Sequence, residues 1–305
     1  MQLHRGLPRE AGPPIALTIG NFDGVHRGHQ AMLARLSEAA EDLRLRSAVM
    51  TFEPHPREYF APHAAPPRLA TLRGKIECMR AFGVQHIYVA RFDAKLASLS
   101  ADAFIDEILV ARLNVRWVVV GDDFRFGKGR AGDLAKLRSR ARTFSVEAMT
   151  TLTVDGERAS STAVRDALAR GDMNRATALL GRPYAIGGRV AHGEKLGRKL
   201  GFPTANIVLR RKPPLNGIFA VRLHGVPGGA KTGVASLGVR PTVASGGRPL
   251  LEVFVFDFDA PIYGQRVVVE FLHKLRDEAR FPDLDTLVRQ MNVDADDARE
   301  YFANA

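Results

Sequence analysis

The chain has 305 residues, 46% hydrophobic and 25% charged, with 44 Lys/Arg against 33 Asp/Glu and a formal net charge of +11. The length points to two domains and the composition to a soluble globular fold; no apolar run approaches a membrane span, and one cysteine excludes an intramolecular disulfide, as suits the cytoplasm. The positive excess invites nucleic acid but is diffuse, with 26 basic and 20 acidic side chains in residues 1–180 and 18 and 13 in 181–305, and neither a basic tail nor an RNA-recognition or zinc-finger module supports such a partner.

The first element is an apolar strand, Ile15–Ile19, followed by Gly20-Asn21-Phe22-Asp23-Gly24-Val25-His26-Arg27-Gly28-His29 and a helical pattern over 30–45. Strand, tight turn and helix start in that order suit a phosphate. Gly20 and Gly24 permit a sharp turn, and the free N–H groups of a new helix favour an anion. His26 and His29, three apart, share a face on the first helical turn and can aim at one anion, while Arg27 falls off that face. On the residues alone two other readings stand: ordinary surface histidines, or a zinc pair at short spacing, for which Cys78 in a helical pattern offers no obvious further ligand.

The pattern G-x-F-D-x-x-H-x-G-H resembles the signature of the Rossmann-like nucleotidyltransferase superfamily. The fuller G-N-F-D-G-V-H-R-G-H-Q is similar to one branch, the bacterial bifunctional riboflavin kinase/FMN adenylyltransferase, or FAD synthetase, family. The resemblance implies that Gly20, Asn21, Phe22, Asp23 and Gly24 bind ATP and its phosphates and that His26 and His29 are catalytic.

Strands are expected next at Ser47–Phe52, Ile87–Val89 and Val115–Gly121, with helices at 72–82 and 101–112. Such alternation marks a parallel, doubly wound sheet, whose ligands sit beyond the carboxyl ends of the strands. After the second strand, Phe52-Glu53-Pro54-His55-Pro56 carries two prolines that are expected to hold the loop extended and deny it helix. By itself His55 reads as a turn residue; the resemblance to the family's F-E-P-H-P makes it a flavin contact. After the fourth strand, Gly121-Asp122-Asp123-Phe124-Arg125-Phe126-Gly127 reads as a solvated turn or a recognition loop. Two exposed aromatics flanking Arg125 favour the second, and the resemblance assigns Asp123, Phe124, Arg125 and Phe126 to flavin.

Ser160-Ser161-Thr162 precede a helix running to about Arg170, which ordinary N-capping explains, and Arg165, one turn in, is placed to hold phosphate oxygens. The run resembles the family's I-S-S-T-x-x-R, with Ala159 where isoleucine is usual. That likeness makes Ser160, Ser161 and Thr162 phosphate contacts and Arg165 catalytic.

Past Gly181-Arg182-Pro183 the pattern changes to short strands at Ala185–Ala191, Phe219–Leu223, Thr232–Leu237, Leu250–Phe256 and Arg266–Leu272, with turns at Gly187-Gly188, Pro227-Gly228-Gly229 and Gly246-Gly247. They suggest a small antiparallel barrel closed by a helix from about Leu284 to Ala303, with Leu287, Met291 and Tyr301 on its buried side. The segment from Gly193 to Asn206 lacks the G-K-[ST] ending of a Walker motif. Its G-R-x-L-G-F-P-T-A-N resembles the ATP loop of riboflavin kinase, which implies ATP contacts at Gly197, Arg198, Gly201 and Pro203 and Mg²⁺ ligands at Thr204 and Asn206. On its own, P-T-A-N reads as a turn. Glu252, on a strand between apolar neighbours, reads by itself as a solvent-facing carboxylate; the match of L-E-V-F-V-F-D-F to the family makes it the general base. Lys274-Leu275-Arg276-Asp277-Glu278-Ala279-Arg280-Phe281 resembles the flavin-proximal K-x-R-x-E-x-x-F, with Arg276 and Glu278 as flavin contacts. Val239 stands where the family mostly has threonine.

The expected architecture is α/β then mainly β: a Rossmann-like nucleotidyltransferase domain at 1–182, then an antiparallel β-barrel riboflavin kinase domain with a C-terminal helix at 183–305. The resemblance implies phosphorylation of riboflavin by ATP to FMN in the second domain, and adenylylation of FMN by ATP to FAD with release of pyrophosphate in the first. The partners are the small molecules ATP and riboflavin or FMN, with Mg²⁺ as cofactor. Two alternatives remain at this stage, an adenylyltransferase with another acceptor and a non-enzymatic RNA- or flavin-binding protein; oligomeric state is not legible.

Overall fold

The computed structural model describes residues 1–192, 201–239 and 249–305. Gly197 and Arg198, the expected turn at Gly246-Gly247 and the side chain of Val239 lie outside the described residues. The chain divides into two compact units, Met1–Pro66 with Leu72–Ala159, and Pro67–Thr71 with Ser160–Ala305.

The first unit is built on six parallel strands: β1 (Gln2–Arg5), β2 (Ile15–Ile19), β3 (Arg46–Glu53), β4 (His86–Arg91), β5 (Val115–Gly121) and β6 (Ser145–Met149). They lie in the order β1-β4-β3-β2-β5-β6. All five residues of β2 are buried because helices cover both faces, and alternation sorts them: Ile15, Leu17 and Ile19 join one apolar layer and Ala16 the other. The helices between strands are α1 (Arg27–Asp42), the short α2 (Pro56–Phe60), α3 (Leu72–Ala81), α4 (Ala94–Ser98), α5 (Ala101–Ala103), which continues in π form over Phe104–Arg112, and α6 (Leu134–Arg140). Helix α1 presents Leu33, Leu36, Ala39 and Ala40 to the core at helical spacing. A two-stranded ribbon, β7 (Thr153–Val154) with β8 (Glu157–Arg158), ends the unit.

The second unit begins with α7 (Ser161–Arg170) and α8 (Met173–Leu180), each capped at its N-terminus by a side chain, Ser160 and Asp172, and each ended by a left-handed glycine, Gly171 and Gly181. Six antiparallel strands follow: β9 (Tyr184–Arg189), β10 (Thr204–Val208), β11 (Gly217–His224), β12 (Lys231–Val239), β13 (Pro249–Val255) and β14 (Arg266–Arg276). Their order is β10-β13-β12-β11-β14-β9, and a bridge between Ala191 and Asn206 brings the two edges together, so the sheet curls into a half-barrel. The C-terminal helix α9 (Leu284–Asn304) lies on it, with Ala295 and Ala298 buried and Met291 and Tyr301 packed alongside. Helix α8 touches β9 and β14, which is why the compact units part at Ala159/Ser160, ahead of the change in sequence pattern near residue 182.

Three local expectations are corrected. Gly187-Gly188 is no turn, because both glycines lie within β9 and pair with Val268 and Val267 of β14. The prolines after β3 do not exclude helix: Pro56 is the first residue of α2, where its fixed φ suits a helix start and its missing N–H costs nothing. The segment P-T-A-N is no turn, because Thr204–Val208 pairs with β13 along its length.

Candidate functional site

Strand β2 lies where the strand order changes direction, with β3 on one side and β5 on the other, and its carboxyl end opens into the turn Gly20–Val25. Three residues of that turn have left-handed backbones: Phe22 (φ 48°), Gly24 (φ 80°) and Val25 (φ 44°). Gly20 serves differently, by closeness, since a Cβ there would lie 3.1 Å from the buried Phe22 ring. His26 is the residue before α1 and His29 lies in its first turn. Their rings stack with centroids 3.7 Å apart, and Phe22 leans on His29 at 4.9 Å. The shared face expected from their spacing is therefore present. Burial, then the neighbouring His26, then Lys75 hold the His29 imidazole well below the ordinary histidine range, so it is neutral near pH 7. Two acceptors or donors here, His29 Nδ1 and Asn21 Oδ1, are buried with no hydrogen-bond partner among the described residues. A zinc pair gains no support, because no cluster of three His, Cys, Asp or Glu able to hold a metal occurs among the described residues.

One residue here is not among those that the sequence predicts. Lys75 of α3 is buried, and its Nζ donates to the Asn21 carbonyl at 2.8 Å and to Thr51 Oγ1 at 3.0 Å. The signal was present: Leu72, Ile76 and Met79 make the apolar face of α3, and a lysine one turn from Leu72 falls within it.

The other residues expected in the first half are placed as follows. His55 caps α2, its ring accepting from the Arg57 N–H at 3.1 Å, while Glu58 accepts from the His55 N–H. Asp123 pairs with Arg158, and Arg125 with Asp133 at 2.9 Å. The two phenylalanines are not both exposed: Phe126 is buried against Phe104, its backbone bridges to Gly132, and Phe124 stacks on it at 5.4 Å. A loop rich in glycine and charge disguised an inward anchor. Ser160 Oγ accepts from the Ala163 N–H, Ser161 and Thr162 open α7, and Arg165 Nε donates to the Pro67 carbonyl at 2.6 Å. These four belong to the second compact unit.

In the half-barrel, Asn206, Glu252 and Ser236 are register partners on three adjacent strands, β10, β13 and β12, so their side chains leave the sheet on one side. The opposite side of β13 carries the buried Leu251, Val253 and Val255. Glu252 accordingly faces a cavity of about 370 Å³, not bulk solvent; Thr204, Ser236, Phe254, Arg276 and Glu278 also line it. A second cavity of about 190 Å³ is lined by Pro203, Thr204, Asn206, Phe258 and Tyr263. Thr204 borders both. Asn206 Nδ2 donates to the Thr204 carbonyl at 3.1 Å and to Thr204 Oγ1 at 3.3 Å, which ties the two side chains together. Gly201 adopts a left-handed backbone (φ 86°) ahead of the buried Phe202.

Arg276 is held more tightly than a free ligand contact. Its Nε and Nη2 bond the buried Asp294 carboxylate, its Nη1 donates to the Asp277 carbonyl at 2.9 Å, and its guanidinium lies 5.7 Å over the Phe281 ring. Burial raises the Glu278 carboxyl above its usual range, with Arg276 acting against the shift. That carboxylate lies where a Cβ on Gly238 would be.

The chain matches two family models, FAD synthetase over residues 9–163 and riboflavin kinase over 180–302. It is 47% identical to the bifunctional riboflavin kinase/FMN adenylyltransferase of Haemophilus influenzae, covering 99% of both chains. The Escherichia coli K12 protein of the same name is 46% identical, with 99% of this chain and 98% of that one covered. Among solved structures, one named a macrolide-efflux protein from Streptococcus pneumoniae superposes with a TM-score of 0.81 at 29% identity, over 96% of this chain and 97% of that one.

Proposed function

The chain belongs to the bifunctional riboflavin kinase/FMN adenylyltransferase family, and from that premise we propose that its two reactions run at two separate sites, adenylylation of FMN in 1–182 and phosphorylation of riboflavin in 183–305. The observation that carries the kinase assignment is Thr204, which borders both cavities of the half-barrel, with Glu252 on one side and Asn206 on the other. The larger cavity takes riboflavin and the smaller one ATP.

Glu252 then accepts the proton of the ribityl 5′-hydroxyl as its oxygen bonds to the γ-phosphorus; the bond between that phosphorus and the β,γ-bridging oxygen breaks, and ADP leaves. Thr204 and Asn206 would hold Mg²⁺: both present hard oxygens, and the bond from Asn206 Nδ2 to Thr204 Oγ1 keeps them side by side. The metal, when bound, neutralises phosphate charge. Arg276 contributes the flat face of a guanidinium already anchored by Asp294, and Glu278 a carboxylate at the flavin side; Gly197, Arg198, Gly201 and Pro203 are assigned to ATP.

At the other site a phosphate oxygen of FMN attacks the α-phosphorus of ATP and pyrophosphate departs, with no enzyme nucleophile. Gly20, Asn21, Phe22, Asp23 and Gly24 are assigned to ATP and its phosphates, and neutral His29 donates one hydrogen bond, not a positive charge, beside His26. Ser160, Ser161, Thr162 and Arg165 are assigned to the triphosphate, and His55, Asp123, Phe124 and Arg125 to the flavin, with Phe126 propping Phe124 from the core. No described helix is long and apolar enough to cross a membrane, and we assign the protein to the cytoplasm, where ATP and a reduced Cys78 are both at home.

The test is incubation with riboflavin, ATP and Mg²⁺, resolving products by chromatography over time. FMN should appear first and FAD after it. Failure of either product from intact protein removes the corresponding half of the assignment.

A further inference from the structure

We propose that Lys75 is a positioning residue for adenylyl transfer: its ammonium fixes the Asn21 carbonyl, and with it the Gly20–His26 turn, and so sets where His29 meets the phosphates. The inference rests on the reading of His26 and His29 as the adenylyl-transfer site.

Lys75 occupies a place on α3 that an apolar side chain would ordinarily fill, beside Leu72, Ile76 and Met79 against the sheet. Its side chain is buried, with the residue 6% exposed. Taking an ammonium out of water is costly, and a methionine of similar length would pack there without that cost. What methionine cannot supply is donors. Lys75 Nζ bonds the Asn21 carbonyl at 2.8 Å and Thr51 Oγ1 at 3.0 Å, and Thr51 Oγ1 itself donates to the same carbonyl at 3.3 Å. A helix and the end of strand β3 thus converge on one peptide group, the second of the turn.

That peptide needs outside support. The next residue, Phe22, is left-handed without being glycine, as is Val25, and both conformations persist only where surroundings impose them. The positive charge also lies near enough to His29 to help keep the imidazole neutral. With the anchor removed, the turn can relax toward ordinary backbone angles. Phe22, which leans on His29, would then move the histidine away from the reacting phosphates.

The experiment uses the full chain with Lys75→Met, which removes all donors, Lys75→Gln, which keeps an N–H for the carbonyl, and His29→Ala as companion. Each is assayed for FAD formation from FMN and ATP and, in the same preparation, for FMN formation from riboflavin. Lys75→Met should lower kcat for FAD about 100-fold, the cost of a small misplacement of reacting groups, with the KM for FMN unchanged. Lys75→Gln should recover part of the loss, and FMN formation should be unaffected in both. The inference is overturned if Lys75→Met keeps the wild-type kcat, if Lys75→Gln is no better than Lys75→Met, or if both reactions fall together. Should His29→Ala leave FAD formation intact, the site reading itself falls; should His29→Ala stop it while Lys75→Met does not, only the role of Lys75 falls.

Discussion

Arg276 and Asp294 meet through two parallel hydrogen bonds, Nε to Oδ1 at 2.7 Å and Nη2 to Oδ2 at 2.6 Å, joining the last barrel strand to the C-terminal helix at the wall of the larger cavity. Gln290 adds a third bond to the same carboxylate at 3.0 Å. Asp294 is buried, and its removal takes from the guanidinium the carboxylate that holds it through both bonds. Asp294→Ala should cost about 3 kcal/mol in denaturant unfolding of the barrel. It should also raise the KM for riboflavin while leaving FAD formation from supplied FMN as it was; an unchanged KM would show that Arg276 takes no part in the flavin site.

The two reactions should be separable by single substitutions. Glu252→Gln keeps the size of the side chain but removes the proton acceptor, so FMN formation should fall by about 10²- to 10⁴-fold. FAD formation from FMN should continue at the wild-type rate. His29→Ala should do the reverse. A variant that remains folded yet loses both activities would contradict the assignment of separate sites.

Acid should weaken the first unit partly through His29. Its folded pKa lies well below the ordinary value of 6.5, so below that pH the unfolded chain binds a proton that the folded state refuses. The unfolded state then holds more protons, and stability falls as pH drops. Between about pH 7 and about pH 5, the melting temperature of His29→Gln should decline less than that of wild type. Equal slopes would mean that His29 titrates alike in both states.

Thr204→Val preserves shape and β-branching while deleting the hydroxyl. If Thr204 Oγ1 is an oxygen ligand, half-saturation of the kinase reaction by Mg²⁺ should move to higher concentration, by about tenfold for a weakened hard-ligand set. The Mg²⁺ dependence of FAD formation should not move. Titration of both activities in one preparation distinguishes this from general damage.

The elements most legible in the sequence were those whose burial leaves a simple pattern. Ile15–Ile19 and Val115–Gly121 have the bounds that their sequence predicts, because central parallel strands are apolar on both faces. Helix α1 starts at Arg27, before the expected residue 30, since glycine and histidine in its first turn mask the periodic signal. Thr204–Val208 was hidden by the turn-like Pro203-Thr204-Ala205-Asn206, although pairing with β13 overrides that local preference. Phe126 departs from its expected exposure for a related reason: the residues around it belong to a surface loop, but its ring turns inward to Phe104. Glu252 needed the registry of three strands before its cavity-facing side could be distinguished from a solvent face. The partnership of Lys75 with Asn21, 54 positions apart, has no local trace beyond a charged residue in an apolar stripe.

Helix α8 carries a practical lesson for dissecting the polypeptide. Met173, Ala176, Leu179 and Leu180 are buried, and the helix rests on β9 and β14. A fragment started at Pro183, where the strand pattern begins, would strip those two strands of their cover and expose an oily seam prone to self-association. One started at Ser160 would retain the helical hairpin as a built-in lid, and is the better choice for expressing the flavin-phosphorylating half by itself.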